Sequence, residues 1–202
     1  MRTSRAPSGA GGGGGPEEDR PAADAEGLAR QICLRMLTAA PRTRAQLAGA
    51  LSRRGVPQEV ADAVLGRFAE VGLIDDATFA SAWVESRHYS RGLARRALAA
   101  ELAQRGVSAD DVQAAISQLE PDQEVATAGA LVARRLAGTR GQPLQARTRR
   151  LMGVLARKGY SQALAYRVVR EALEQEGIDP AAAGIGLDDP PEDEAGEDAL
   201  GW

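Results

Sequence analysis

The sequence predicts an all-α protein built from three tandem three-helix repeats. Three glycines, Gly55, Gly106 and Gly159, stand 51 and 53 residues apart, and an arginine or lysine precedes each of them. Leucines lie four and eight residues before each glycine, at positions 51 and 47, 102 and 98, and 155 and 151. A register kept over about 50 residues indicates a repeat array. Because no segment alternates apolar and polar residues with the period of a strand, we expect helices throughout.

The helices of the first repeat follow from apolar periodicity and from signals at their ends. A first helix is predicted over 24–40, with one apolar face made by Leu28, Ile32, Met36 and Leu37. Thr43 and Gln46 have the spacing of a capping box and should open a second helix, which ends at Gly55. Pro57 suits the first position of a third helix, which Gly72 closes.

The second and third repeats show similar signals. Asp76 is predicted to cap a helix that carries Phe79 and Trp83 as core residues. A helix over 93–105 follows, and Ser108 with Asp111 starts the next one. Helices of the third repeat should begin near positions 121 and 143 and after Gly159. The sequence therefore predicts nine helices in three trios.

The chain divides into five predicted segments. These are a Gly/Pro-rich head over 1–23, repeats over 24–75, 76–120 and 121–177, and an acidic tail over 178–202. Head and tail lack the apolar surface that would offset the entropy of ordering them, so disorder is expected there. Repeats that pack only on their neighbours should form an elongated, curved array.

Charge is distributed unevenly along the chain. The formal net charge is −3, yet 24–177 carries 22 bases against 17 acids, and the tail carries eight acids and no base. Between Arg134 and Arg170 there are ten bases and no acid. Segregated charge of this kind favours binding to a polyanion.

Two groups of bases are the candidate nucleic-acid or filament contacts. The first lies on the helix expected over 143–158 and its end, and comprises Arg147, Arg149, Arg150, Arg157 and Lys158. The second surrounds the turn at Gly92 and comprises Arg87, Arg91, Arg95 and Arg96. Phosphates bind such side chains without regard to sequence. The alternative for each group is a solvated helix face, although inert faces usually mix the two signs.

The sequence contains no recognisable arrangement of catalytic residues. We therefore predict no catalytic site, no bound metal and no cofactor. His88 is the only histidine and Cys33 the only cysteine, which leaves no triad and no zinc site. Cys33 should pack as a small apolar residue. Asp75 and Asp76 suit a helix N-terminus better than a metal. The absence of a long apolar run predicts a cytoplasmic protein.

The stretch Gly72–Val107, GLIDDATFASAWVESRHYSRGLARRALAAELAQRGV, closely resembles the RecX family. The stretches Pro41–Val56 and Arg149–Ser161 match it more loosely, and the resemblance covers 24–177. Gln46 departs from the acid that the family commonly has there. The resemblance implies a monomeric, non-enzymatic regulator of homologous recombination, DNA repair and the SOS response. Its implied partners are the RecA filament and single-stranded DNA, with double-stranded DNA as a secondary expectation and no membrane.

Two questions stay open at the level of sequence. A helical-repeat adaptor that binds only proteins would explain the repeats but not the acid-free stretch over 134–170. The acidic tail could fold back on the basic surface and compete with DNA, or it could serve solubility alone.

Overall fold

The computed structural model describes residues 19–178, and side chains from residue 23 onward. The predicted tail after Ile178 and most of the predicted head lie outside the described residues. Within residues 19–178 the chain forms nine α-helices and no strand. Their bounds are α1 Asp19–Ala39, α2 Arg44–Ser52, α3 Gln58–Glu70, α4 Asp76–Arg91, α5 Arg95–Ala103, α6 Ala109–Ser117, α7 Pro121–Leu136, α8 Leu144–Ala156 and α9 Gln162–Gln175. A 3₁₀ turn, Ala137–Thr139, follows α7.

One compact unit contains α1, most of α2, and α3 through Ile74. Its core includes Ile32, Leu47 and Leu65. Cys33 is fully buried there, which confirms that it packs as a small apolar residue, and burial raises the pKa of its thiol. Leu28 does not join this core, because its side chain is 43% exposed. The prediction that placed Leu28 on the buried face was wrong, and Ala29 takes that place.

A second compact unit contains Arg42–Gln46 together with the chain from Asp75 onward. One of its cores lies among α4, α5 and α6 and includes Leu98 and Leu102. Another lies among α7, α8 and α9 and includes Leu151 and Leu155. Phe79 and Trp83, predicted as core residues, pack partly buried against the first of these cores, with their rings stacked.

The three register glycines all adopt a left-handed backbone, with φ of 74° at Gly55, 75° at Gly106 and 84° at Gly159. The residue after each glycine donates its N–H to the carbonyl of the leucine that stands four residues before that glycine. The three distances are 3.2, 3.3 and 3.3 Å. This is the Schellman pattern, which satisfies carbonyls that a helix end leaves unpaired. All three of those leucines are fully buried. The repeated leucine and glycine therefore have one physical cause.

Predicted helix starts are largely confirmed. The Thr43 hydroxyl accepts from the N–H of Gln46, and the Gln46 side chain accepts from the N–H of Thr43, as a capping box requires. Ser108 caps α6 by accepting from the N–H of Asp111 at 3.1 Å. Pro57 precedes α3 as its N-cap and is not its first residue, so that placement was off by one position.

The cap of α4 differs from the prediction. Asp75 is the N-cap and accepts from the N–H of Thr78, whose side-chain and backbone hydrogen bonds lower the pKa of Asp75. Asp76 is the first helical residue and accepts from the N–H of Arg44, while burial raises the pKa of Asp76. Asp76 therefore serves the second unit as an internal acceptor and does not cap the helix.

Candidate nucleic-acid interface

The loop after α4 is fastened to the loop after α8 by three hydrogen bonds. The N–H of Ala94 donates to the carbonyl of Lys158 at 2.9 Å, and the Lys158 ammonium donates to the carbonyl of Arg91 at 2.7 Å. The buried Tyr160 hydroxyl donates to the carbonyl of Gly92 at 3.2 Å. Burial raises the pKa of Tyr160 to about 12, so this donor keeps its proton at neutral pH. The fastening brings the two predicted groups of bases together.

A groove of about 1030 Å³, here called the α4–α7–α8 groove, opens beside this fastening. Four of its lining residues are the cations Arg91, Arg134, Arg135 and Lys158. Its wall along α7 is made largely of small residues, Ala126, Thr127, Ala130 and Ala133. No carboxylate is among the described residues that line it. A cationic groove with a low wall suits an extended anionic chain.

A second groove of about 650 Å³, the α5–α8–α9 groove, lies on the other side of the turn after α8. Arg96 and Arg157 are its cations, and within the part of the chain that the structure describes no carboxylate lines it either. Arg157 in this groove and Lys158 in the other are neighbours in sequence. The two grooves therefore meet at the end of α8.

Six cations line the two grooves, and none of them pairs with a carboxylate of residues 19–178. Four of the six were predicted contacts, namely Arg91, Arg96, Arg157 and Lys158. The first three are exposed, and Lys158 is half-buried. Arg149 and Arg150 are also exposed, but they lie outside both grooves.

Arg87, a predicted contact, lies against other residues of the second unit. Its guanidinium carbon lies 4.1 Å from the centre of the Trp83 ring, and its Nε lies 3.9 Å from a carboxylate oxygen of Glu101. The Trp83 indole N–H donates to the same Glu101 carboxylate at 2.9 Å. The stacking and the shared carboxylate hold Arg87 against α4 and α5.

Arg95 is also held inside the second unit. One of its guanidinium nitrogens donates to the carbonyl of Leu119, and its Nε lies 3.5 Å from the Glu124 carboxylate. Its backbone N–H donates to Glu124 as well, at 3.1 Å. Arg95 thus connects the start of α5 to the end of α6 and the start of α7.

Arg147 is the predicted contact that lies deepest, only 5% exposed. Its Nε donates to the Thr139 hydroxyl at 3.0 Å, and a terminal nitrogen pairs with Glu176. Glu176 also accepts from Arg140 at 3.0 Å. The Arg147 hydrogen bond is the main cause that lowers the pKa of Glu176. This pair ties the start of α8 to the end of α9.

Glu176→Gln is expected to lower the melting temperature at neutral pH, since the amide keeps the shape but loses the charge that Arg147 pairs with. Because the pKa of Glu176 is lowered in the folded state, its stabilisation is present above the ordinary value of 4.5 and is lost as pH falls through the folded value. Thermal unfolding from pH 7 down to pH 3 measures this, and the wild-type advantage should shrink below about pH 4.5. The control is Glu174→Gln, which removes an exposed pair with Arg170 and should change little. A pH-independent difference would contradict the ion-pair explanation.

The sequence prediction did not single out Arg134, Arg135 and Tyr89, which all line the α4–α7–α8 groove. The signal for the arginines was present, because both lie at the start of the acid-free stretch over 134–170 and in the last turn of α7. Tyr89 gave no periodic signal, since it follows the buried His88 at the polar end of α4.

His88 supports the wall of the same groove. It is 1% exposed, and its Nδ1 donates to the carbonyl of Leu93 at 2.9 Å, because a carbonyl can only accept. Its Nε2 is hydrogen-bonded to the Thr127 hydroxyl, also at 2.9 Å. The histidine therefore joins the end of α4 to α7.

Over residues 19–178 no helix is at once long enough and apolar enough to span a bilayer. The same part of the chain holds no group of three or more histidine, cysteine or acidic side chains placed to bind a metal ion.

The fold and the grooves define an all-helical tandem-repeat protein with a basic surface. Models of the first, second and third three-helix domains of RecX match residues 29–68, 75–116 and 122–169. The chain is 68% identical to the regulatory protein RecX of Thermobifida fusca over 75% of this chain and 82% of that one. It is 58% identical to the regulatory protein RecX of Streptomyces lividans, over 83% of this chain and 89% of that one. The chain belongs to the RecX family of regulatory proteins.

Solved structures show the same fold. A crystal structure of regulatory protein RecX matches with a TM-score of 0.67 and 23% identity, covering 75% of this chain and 74% of that one. A crystal structure of RecX from Lactobacillus salivarius matches with a TM-score of 0.69 and 15% identity, covering 74% and 97%. The predicted all-α fold of three tandem three-helix domains is therefore confirmed.

Proposed function

We propose that this protein regulates homologous recombination and DNA repair by binding the RecA–DNA filament and inhibiting RecA. The activities inhibited would be strand exchange, ATP hydrolysis and coprotease function, the last linking it to the SOS response. The protein would act in the cytoplasm as a monomer, without a cofactor and without catalysis of its own. Membership of the RecX family supports the regulatory role.

The observation that carries the proposal is the charge of the two grooves. Six cations line them, and no carboxylate of the described residues does, although the whole chain has a net charge of −3. When such cations bind phosphates they displace counterions condensed on the nucleic acid, and the release of those ions drives association. Arg91, Arg96, Arg134, Arg135, Arg157 and Lys158 are the proposed DNA contacts. Arg149 and Arg150 are proposed as flanking contacts to DNA or to RecA.

Three predicted contacts are left out of the proposed binding surface. The guanidinium group of each is already bound within the second unit. Arg87 stacks on Trp83, Arg95 donates to the Leu119 carbonyl, and Arg147 donates to the Thr139 hydroxyl. Each also lies against a carboxylate. Moving any of them to a phosphate would break those contacts and take a charged partner away from Glu101, Glu124 or Glu176. We assign them to the stability of the second unit.

Binding by six cations without base-specific contacts would be insensitive to DNA sequence. Recognition of the filament as a whole would then come from contacts to DNA and to RecA made together. Two weak contacts on one protein reinforce each other, because the first raises the effective concentration for the second. A protein bound to DNA and to RecA at the same time would restrain the conformational changes of the filament, and RecA activity would fall as a result.

The alternative function is an adaptor that binds proteins and has no nucleic-acid role. The two are separated by capturing RecA on the immobilised full-length chain, with and without single-stranded DNA and a non-hydrolysable ATP analogue. The proposal predicts strong capture of the filament and weaker capture of free RecA, with the difference reduced at high salt. Equal capture with and without DNA would favour the adaptor. Failure to capture RecA under either condition would contradict the proposed function.

A further inference from the structure

Tyr89 is the most exposed of the large apolar and aromatic side chains in the described chain, with 71% of it accessible. Other aromatic residues of the described chain are packed, since Tyr160 and Phe68 are buried and Phe79 stacks on Trp83. Tyr89 thus contributes little to either core. An exposed tyrosine alone carries no meaning, but this one lines the α4–α7–α8 groove with four cations.

The backbone at Tyr89 is held in place through the adjacent residue His88. The Tyr89 ring meets the His88 ring edge-on, with the centroids 5.7 Å apart. His88 is itself held at both ring nitrogens, by Leu93 and by Thr127. The backbone that bears Tyr89 is therefore anchored to α7, on the wall of the groove.

We propose that Tyr89 is a stacking platform for one unpaired base of a single-stranded nucleic acid. The phosphates on either side of that base would bind Arg91, Arg134, Arg135 and Lys158. A basic groove with an aromatic ring on its wall is the arrangement by which proteins bind single strands without sequence preference. A duplex cannot use it in the same way, because both faces of each interior base pair are covered. This inference rests on the proposed function and adds a preference for single strands over duplex.

The test compares Tyr89→Ala and Tyr89→Phe in the full-length chain. Fluorescence anisotropy with a labelled oligothymidine and with a blunt duplex of equal length gives the affinities over a range of salt. Tyr166→Ala is the control, since Tyr166 is a partly exposed tyrosine of the same unit that lines neither groove. Circular dichroism confirms that each variant is folded.

Loss of one stacked base should weaken oligothymidine binding by Tyr89→Ala at least about five-fold. Tyr89→Phe keeps a ring and should bind like wild type, as should Tyr166→Ala. The slope of log affinity against log salt should stay unchanged in Tyr89→Ala, because no phosphate contact is lost. Duplex binding should change by less than about two-fold, since stacking needs an unpaired base.

Each other outcome overturns a stated part. Wild-type affinity of Tyr89→Ala for oligothymidine would overturn the stacking site and leave the proposed function standing. Equal losses on single strand and duplex would overturn the preference for unpaired bases. A loss confined to RecA capture would show that the ring meets protein instead. A wild-type protein that does not bind oligothymidine would overturn the DNA part of the proposed function and the stacking site with it.

Discussion

Replacing Arg134, Arg135 and Arg157 together by glutamate is expected to weaken binding to single-stranded DNA on the order of 100-fold at about 0.1 M salt. Each phosphate neutralised on a single strand contributes about 0.7 to the slope of log affinity against log salt. At about 0.1 M salt this slope corresponds to about 0.7 log units of affinity for each contact. Three lost contacts therefore remove about two log units, and the new carboxylates add repulsion. All three arginines are exposed and line a groove, so the second unit should stay folded.

The control for this triple variant reverses Arg35, Arg53 and Arg54, which are exposed in the first compact unit. It changes the net charge by the same amount. Anisotropy titrations at several salt concentrations give both affinity and slope. The groove variant should lose about two units of slope, and the control should keep the wild-type slope. Equal losses in the two variants would mean that total charge, and not the grooves, governs binding.

Gly159→Ala is expected to destabilise the second unit by roughly 3 kcal/mol or more. A non-glycine residue in the left-handed region costs about 1–3 kcal/mol on its own. At Gly159 a Cβ would also lie 2.6 Å from the backbone nitrogen of Ala97 and 2.7 Å from its Cβ. Backbone cannot move aside as a flexible side chain can, so α5 would have to shift away from the end of α8. Urea unfolding measures the loss.

Gly141→Ala is the matched control for that substitution. Gly141 has nearly the same φ, 78°, and a Cβ there would meet nothing within 4 Å. Only the backbone cost, about 1–3 kcal/mol, should appear. Because Gly159 adjoins the fastening that joins the two groups of bases, its variant should also bind DNA more weakly. Equal destabilisation at the two glycines would show that the contact with Ala97 does not matter.

Much of the fold could be predicted because its signals are local. The Schellman turn needs a glycine after the helix and a leucine four residues before it, and both are visible in the sequence. The capping box at Thr43 and the cap at Ser108 are equally local. The cap of α4 was assigned to Asp76 instead of Asp75 because adjacent aspartates can both cap a helix. Only the contact of Asp76 with the Arg44 N–H, which is not local in sequence, distinguishes their roles.

The binding surface was harder to predict, because it depends on which bases are paired within the fold. Arg147 lies four residues before the buried Leu151 and so shares the inward face of α8, but its partner Glu176 comes 29 residues later. Nothing local predicts that pairing. The grooves likewise depend on contacts between distant segments, since Lys158 and the Arg91 carbonyl that it binds lie 67 residues apart. Counting bases found the charged region but could not distinguish paired arginines from unpaired ones.

The measurement that tests the central claim most directly is ATP hydrolysis by preformed RecA filaments on single-stranded DNA. Adding the wild-type protein should make hydrolysis fall over time, with an extent that depends on its concentration. The variant with Arg134, Arg135 and Arg157 reversed should leave hydrolysis near its starting rate, and the Arg35, Arg53 and Arg54 control should inhibit like wild type. Undiminished hydrolysis at wild-type concentrations that saturate the DNA would contradict the claim that this protein inhibits RecA on the filament.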